Sequence, residues 1–323
     1  MIQKIEMKGQ IVLTLLLLIS KSSSAQEIDN YSTLHKVRQK SYTRISYDND
    51  LFVGTDRYYT QGIGVDVFSA RLEENPLNIL LLHFGPNNRD SWGIQFRTHG
   101  CTPTTILSDS VLIGDRPYAC VFSFGIVRTS QQKDLQLHLS SQFELGLIGQ
   151  AALGEEIQTG IHRITKNDLP LGWQHQIQNS PIVNYTIRLE KRPNLGLPNY
   201  FHADGYVQAK LGTFQTNLSV GFELAIGRLN TLLSALARKF VVYGYSQTSL
   251  TLVGYDASLM GGIINREGYH LKYNELNPLA LRQHVGLVLG ARHVSFGVDF
   301  TFLTKEIKEG LPHSWGGVRL TFY

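Results

Sequence analysis

The densest run of polar side chains in the sequence is Asp48-Asn49-Asp50, followed closely by Gly54-Thr55-Asp56-Arg57-Tyr58-Tyr59-Thr60-Gln61-Gly62. Carboxylate and amide oxygens packed this closely, with glycines that let backbone carbonyls turn inward, are the hard ligands that calcium favours. The spacing is not that of an EF-hand, and a solvated hairpin would carry the same residues. His162 is the candidate general base, because an imidazole titrates near neutrality. Gln158, four residues earlier, projects from the same face if the segment is helical. Two further clusters, Gly114-Asp115-Arg116-Pro117-Tyr118-Ala119 and Leu171-Gly172-Trp173-Gln174-His175-Gln176-Ile177, read either as an Asp/Arg turn and an aromatic-anchored loop or as substrate contacts. The absence of a G-x-S-x-G elbow, an HExxH pair and a P-loop removes the usual support for an α/β serine hydrolase, a zincin or a nucleotide enzyme.

These residues need elements to hold them, and period-two alternation is the dominant signal. Leu135, Leu137, Leu139, Phe143, Leu145 and Leu147 form one apolar row, with Ser141 its single break. Leu218, Val220, Phe222, Leu224 and Ile226 form a second, and Val294, Phe296, Val298, Phe300 and Phe302 a third. Each such segment sets one face against apolar material and the other against water. Further candidates are 41–48, 59–69, 91–99, 117–129, 182–192, 201–214, 239–258, 281–290 and 312–323, making about twelve strands at roughly 25 residues per strand and connection. Gly221 beside Glu223 and Gly297 beside Asp299 place small and charged residues together on the polar row, which suits a narrow hydrated lumen. The sequence ends on a strand with a terminal aromatic, Val318-Arg319-Leu320-Thr321-Phe322-Tyr323, although the apolar row falls on 318, 320 and 322. One stretch breaks the β pattern: residues 151–165 carry Ile157, Ile161 and Ile164 at helical spacing, with Glu155 and Glu156 early and Arg163 and Lys166 late, as the helix dipole favours.

Composition narrows the class. Of 323 residues 42% are hydrophobic, and Lys plus Arg total 30 against 26 Asp plus Glu, which leaves no strongly basic face to predict nucleic-acid binding. After residue 25 no apolar run approaches the roughly 20 residues a membrane-spanning helix needs, whereas a β-barrel averages to the observed mean hydropathy of −0.10. Lys4 and Lys8, the run IVLTLLLLI at 11–19 and Ser23-Ser24-Ala25 read as a secretory signal cleaved after Ala25, leaving 26–323 as the mature domain. Export permits a bridge between the only two cysteines, Cys101 and Cys120, which would close about 18 residues and stabilise by ~3 kcal/mol, and the residues leave its formation open.

The sequence resembles the lipid A deacylase family of outer-membrane barrels, the 3′-O-deacylases. The similarity is carried by Asn49-Asp50, then Asp56-Arg57 and Tyr59-Thr60 with Gly62, then Gly114-Asp115-Arg116, then Gln158-x-x-x-His162-Arg163-Ile164, then Trp173-x-x-Gln176-Ile177. The resemblance implies a transmembrane antiparallel barrel of twelve strands with one short extracellular-loop helix and an active site between that helix and the barrel wall. By similarity His162 activates water, a calcium ion polarises the ester carbonyl, and Asn49, Asp50, Thr60 and Gln158 complete the polar site, with Asp50 and Asn49 as metal ligands. Asp115, Arg116 and Trp173 are carried over as substrate contacts. Family members can carry a functional lysine before the Asp-Arg motif, yet residues 91–128 contain none, and Arg97, His99 or Arg116 would have to take its place at a lipid phosphate.

The sequence therefore predicts a monomeric, calcium-dependent ester hydrolase that removes an acyl or acyloxyacyl chain from lipid A in the outer membrane of a Gram-negative bacterium. Two competitors stay open. A barrel phospholipase would use Ser46, Ser91 or Ser123 as nucleophile, and a non-catalytic channel or structural barrel needs only the hydrated lumen. The competing fold is a secreted soluble β-sandwich.

Overall fold

The computed structural model describes residues 41–86, 88–198, 200–228 and 240–323. The predicted signal peptide lies outside the described residues. Twelve strands close into one antiparallel barrel: β1 (Tyr42–Asn49), β2 (Tyr58–Phe68), β3 (Arg89–Thr102), β4 (Ala119–Gln132), β5 (Leu137–Ile148), β6 (Ser180–Lys191), β7 (Phe201–Gly212), β8 (Gln215–Arg228), β9 (Val241–Asp256), β10 (Leu279–Gly290), β11 (Val294–Leu303) and β12 (His313–Phe322). Every strand pairs with its neighbours in sequence, and β1 closes the cylinder against β12, so no edge is left to expose unpaired backbone. This settles the choice between barrel and sandwich, and each predicted strand has its counterpart within a few residues. No helix among the described residues is long and apolar enough to cross a membrane.

Alternation decides what faces where. The three apolar rows read from the sequence point outward, with Leu218, Val220, Phe296, Val298 and Phe300 all exposed on the barrel surface. Ser141, the break in the β5 row, also points outward, and its hydroxyl donates to the Leu82 carbonyl at 2.8 Å. That bond pins the segment between β2 and β3 against the outer wall, and Tyr185 adds a second tie by donating to the Leu80 carbonyl at 2.8 Å. The polar rows point inward and cross-brace the lumen. Arg319 bridges Asp48 and Asp299, Arg97 holds Asp66 and Arg192 holds Asp204. Between Asp48, Arg97, Glu144 and Lys210 the inward side chains leave a cavity of about 60 Å³.

The chain enters β1 and leaves β12 at the same end, and the long connections 103–118, 149–179 and 257–278 gather at the opposite end. That is the arrangement of a barrel with its larger loops outside the cell. Two buried groups stopper this end. An apolar cluster of Val121, Ile148, Ile177, Ile182, Phe214 and Ala257 closes the mouth. Beside it the Arg116 guanidinium pairs with Glu306 and donates to the Ser258 hydroxyl at 2.7 Å, tying three loops together.

Cys101 and Cys120 are free thiols, although they lie on adjacent strands one register step apart, with Gly100 opposite Cys120. Cys101 belongs to the inward row, against Tyr59 and Trp315. Cys120 belongs to the outward row, against Tyr118, Ala152 and Trp173. A strand wall separates them, so no rotamer change can join them. Mature protein unfolded in detergent without reductant is expected to take up two equivalents of a maleimide, and uptake of none would mean that the wall is not where these strands place it.

Candidate active site

The site is built where the outer wall stops being apolar. Across the top of the wall the register aligns Asn49 with Gln61, Gln61 with Gly100, and Gly100 with Cys120. The next residue down β2 on that face, Ile63, is exposed, yet Gln61 and Thr60 are buried. The loop helix α1 (Gly154–Thr165) packs on this part of the wall, against β3 and β4. Its start is clamped to the wall because residue 154 is glycine. A Cβ there would fall 2.5 Å from the Cys120 Cβ and 2.5 Å from the Trp173 ring, so any larger residue would push the helix outward.

The helix begins three residues later than the sequence pattern suggests, after a 3₁₀ turn at Gln150–Ala152, and it buries a different face. Gly154, Gln158 and His162, at intervals of four, are the buried residues, while Ile164 is 84% exposed. A stripe of one small and two polar residues facing the wall of a membrane protein calls for partners, because unpaired polar groups are costly there. The partners are present. Trp173 Nε1 donates to Gln158 Oε1 at 2.8 Å, and Gln158 Nε2 reaches Asp56 Oδ1 at 3.4 Å. His162 Nδ1 lies 2.5 Å from the Asp168 carbonyl oxygen. A carbonyl only accepts, so Nδ1 carries the hydrogen and a neutral ring keeps its lone pair on Nε2. Nε2 faces Asp56 Oδ2 at 3.6 Å, a separation one water molecule can bridge.

The loop carrying Asp56 is organised by Asn49 and Asp50. Asn49 Oδ1 accepts from the Leu51 N–H at 2.7 Å and caps a 3₁₀ turn at Asp50–Val53, which a left-handed Gly54 (φ 73°) closes. Asp50 Oδ2 accepts from the Arg57 N–H at 2.8 Å and the Thr55 hydroxyl at 3.3 Å. Burial pushes the Asp50 carboxyl up to about 8, the negative Asp56 nearby adds to the rise, and those two hydrogen bonds only partly oppose it. Asp56 is raised as well, chiefly by burial, with His162 pulling it down and Asp168 pushing it up. Downstream, Tyr58 adopts a left-handed φ of 64° and the β2–β3 register slips between Tyr59 and Gln61. This bulge at Thr60 turns Tyr59 into the lumen, where its hydroxyl donates to Asp48, and leaves the buried Thr60 Oγ1 without a hydrogen-bond partner.

His162, Gln158, Asp50, Asn49 and Thr60 thus belong to one corner of the molecule. Three other sequence-predicted site residues do not meet a substrate there. Arg116 is 1% exposed and locked to Glu306 inside the barrel mouth, so its charge is already neutralised. Asp115 holds a turn, accepting from the Arg116 N–H at 2.7 Å and the Thr104 N–H at 2.8 Å. Trp173 is 1% exposed, packed on Tyr118 with ring centroids 5.0 Å apart, and acts on Gln158. Arg97 faces inward to Asp66, and His99 lies against Tyr59 and Phe214, so neither reaches the outer wall. Asp56 stands at the centre of the constellation. Its sequence signal was only adjacency to Arg57 in a polar run, and no spacing rule linked it to a helix more than a hundred residues away. Among the described residues no three His, Cys, Asp or Glu side chains form a metal cluster. Below the site, the outer faces of β2 to β5 form an apolar groove of about 350 Å³ lined by Val65, Ile94, Phe96, Phe124, Phe143 and Leu145.

A family model described as outer membrane protein LpxR matches residues 11–323. Among solved structures, LpxR from Salmonella typhimurium superposes with a TM-score of 0.72 at 19% identity, covering 88% of this chain and all of that one (100%). The beta domain of the Bordetella autotransporter Brka aligns at a TM-score of 0.44 and 10% identity over 87% of this chain and 98% of its own. The NanC porin aligns at 0.41 and 8% identity over 88% of this chain and 99% of its own. No curated protein sequence matches. With the family model covering nearly the whole sequence, and a twelve-stranded closed barrel as its structural counterpart, the chain belongs to the LpxR family of outer membrane proteins.

Proposed function

We propose that the protein is an outer-membrane ester hydrolase that removes an acyl or acyloxyacyl chain from lipid A, working as a monomer at the outer leaflet. The observation that carries this reading is His162: its Nδ1 is held by the Asp168 carbonyl, its Nε2 faces Asp56, and the pair lies at the outer wall instead of in the lumen. A substrate reaching such a site comes from the lipid phase, and the groove of Phe96, Phe124 and Leu145 beneath it offers a surface for an acyl chain.

The chemistry follows from these groups. His162 Nε2 takes a proton from a water hydrogen-bonded to it beside Asp56, and the oxygen of that water attacks the ester carbonyl carbon. The carbonyl π electrons move to its oxygen as the new C–O bond forms. When the intermediate collapses, the bond to the sugar or hydroxyacyl oxygen breaks, and that oxygen receives the proton now on His162. Asp56 steadies the imidazolium while it exists, and the Asp168 carbonyl holds the ring in the productive tautomer.

Calcium fits the residues present. Asp50 and Asp56 are close enough for the charge of one to raise the pKa of the other, the Asn49 amide oxygen is adjacent, and Thr60 Oγ1 is a buried oxygen without a partner. This is an all-oxygen donor set of the kind calcium takes, with Asp50 and Asn49 the first candidates and Thr60 a third. When bound, calcium supplies positive charge beside the carbonyl oxygen. The serine candidates all lie on the inward row, away from His162: Ser46 donates to the Gly64 carbonyl, Ser123 donates to Glu144, and Ser91 shares the face of Gln95 and Arg97.

His162→Ala is expected to abolish fatty-acid release from lipid A while the barrel keeps its heat-modifiable gel shift. Mass spectrometry of lipid A before and after incubation, with and without a calcium chelator, reads the outcome; release at the wild-type rate by the variant would remove His162 as the base. Calcium at a hundred times its Kd is expected to stabilise the wild type by about 2.7 kcal/mol and Asp50→Asn by almost nothing, as read by thermal unfolding. In calcium-free buffer the sign reverses. Because the folded carboxyl titrates near 8 instead of 3.8, folding favours the proton, so the wild type loses stability relative to Asp50→Asn as pH rises from about 4 to about 8. A parallel pH profile for the two proteins would show that Asp50 is not buried as described. Trp173→Phe keeps the ring and removes the N–H that orients Gln158, so kcat should fall about 10- to 100-fold with KM little changed.

A further inference from the structure

The mechanism leaves one buried polar group without a task. Gln61 is 7% exposed, and among the described residues its carboxamide has no hydrogen-bond partner. It shares the outward row with Ile63, Val65 and Val67, since a Cβ on its neighbour Gly62 would strike Tyr59 inside the lumen. Beside it Thr60 Oγ1 is buried and has no hydrogen-bond partner among the described residues. Opposite it on β3 is Gly100, where a side chain is missing: a Cβ built there finds nothing closer than Thr60 Oγ1 at 3.7 Å, then Gln61 Nε2 at 3.9 Å. An amide and a hydroxyl without partners over a glycine make a shallow polar slot at the lipid boundary, where unmet hydrogen-bonding capacity is costly. Such a slot persists when a ligand meets the demand.

The helix passes over this slot. Gly154 touches Cys120 on β4, and Gln158 and His162 reach Asp56 in the loop between β1 and β2, so α1 runs across β3 toward β2. His162 lies eight residues beyond Gly154, ~12 Å along the axis. Gln61 lies two strands from Cys120 in register, ~10 Å across the sheet. The imidazole is thereby carried over β2, on the same side of the wall as the Gln61 carboxamide.

We infer that Gln61 is a catalytic residue whose side-chain N–H donates to the carbonyl oxygen of the scissile ester and strengthens that bond as the oxygen becomes an anion. The inference rests on the hydrolase reading and deepens it. The attacking water adds to the carbonyl carbon, the electron pair of the C=O π bond settles on oxygen, and the Gln61 N–H neutralises part of that charge until the pair returns and the ester bond breaks. A planar amide is suited to this task on a lipid-facing wall, because it supplies a fixed dipole and no net charge.

The decisive variant is Gln61→Glu, which keeps the shape and an oxygen but removes both N–H donors. Lipid A hydrolysis in detergent micelles should lose about 10²-fold in kcat with KM nearly unchanged, and Gln61→Asn should recover part of the loss. Affinity for a long-chain alkyl phosphonate, which mimics the tetrahedral anion, should fall in parallel with kcat/KM, whereas affinity for the non-hydrolysable ether analogue of the substrate should hold. Unchanged kcat in Gln61→Glu overturns the assignment, as does an equal loss of phosphonate and ether binding, which would mark Gln61 as a packing residue. Failure of the underlying reading shows differently: the wild type would release no acid from lipid A, and the assignment would fall with it.

Discussion

The structure turns on the burial of a polar helix face against the outside of a membrane barrel. The wall facing lipid is apolar almost everywhere, and a helix laid on it would ordinarily present leucines or isoleucines. Here α1 presents Gly154, Gln158 and His162. Each polar member is stable only because a second element reaches it: the Trp173 indole for Gln158, the Asp168 carbonyl for His162, and Asp56 for both. Loops from two different regions must therefore close on the helix at once, and the partial burial that results strengthens the interactions of the polar groups they enclose.

The same constraint explains the division of labour between the two faces of the strands. The lumen is cross-braced by arginine–carboxylate pairs and stoppered by Arg116 with Glu306 and by the apolar cluster around Phe214. Removing one partner of such a buried pair costs about 3–5 kcal/mol, so these interactions resist rearrangement of the mouth. The inner surface of the barrel carries these charged cross-braces, and its outer upper edge carries the helix with its polar partners.

Much of this was legible in the sequence, for identifiable reasons. Strands that cross a bilayer must alternate along their whole length, so all twelve could be read, and the one interruption, Ser141, marks where a turn segment hydrogen-bonds to the outer wall. The helix was legible from its isoleucines, but the isoleucines named the wrong face. A periodicity search finds apolar stripes, whereas this helix is anchored by a glycine and two polar side chains whose partners come from elsewhere in the chain. Arg116 and Trp173 were legible as special residues and not as structural ones, because a buried ion pair such as Arg116–Glu306 joins positions 190 residues apart. The bulge at Thr60 left no signal at all, since a single unpaired residue does not disturb the composition of β2.

That bulge nonetheless sets the geometry of the site. Without it, Tyr59 and Thr60 would exchange faces, the Tyr59 hydroxyl would leave Asp48, and Thr60 would enter the lumen. With it, one strand delivers Tyr59 to the charge network within and Thr60 and Gln61 to the covered slot without. A left-handed Tyr58 immediately upstream absorbs the change of direction, held there as its hydroxyl accepts from the Leu311 N–H at 3.0 Å. The strain of that tyrosine, of the order of 1–3 kcal/mol, is offset by its contact with the β11–β12 loop at the same end of the barrel. Closure of the cylinder, by fixing Leu311 beside Tyr58, is thus what lets a wall built to face lipid hold a cluster of polar side chains at its upper edge.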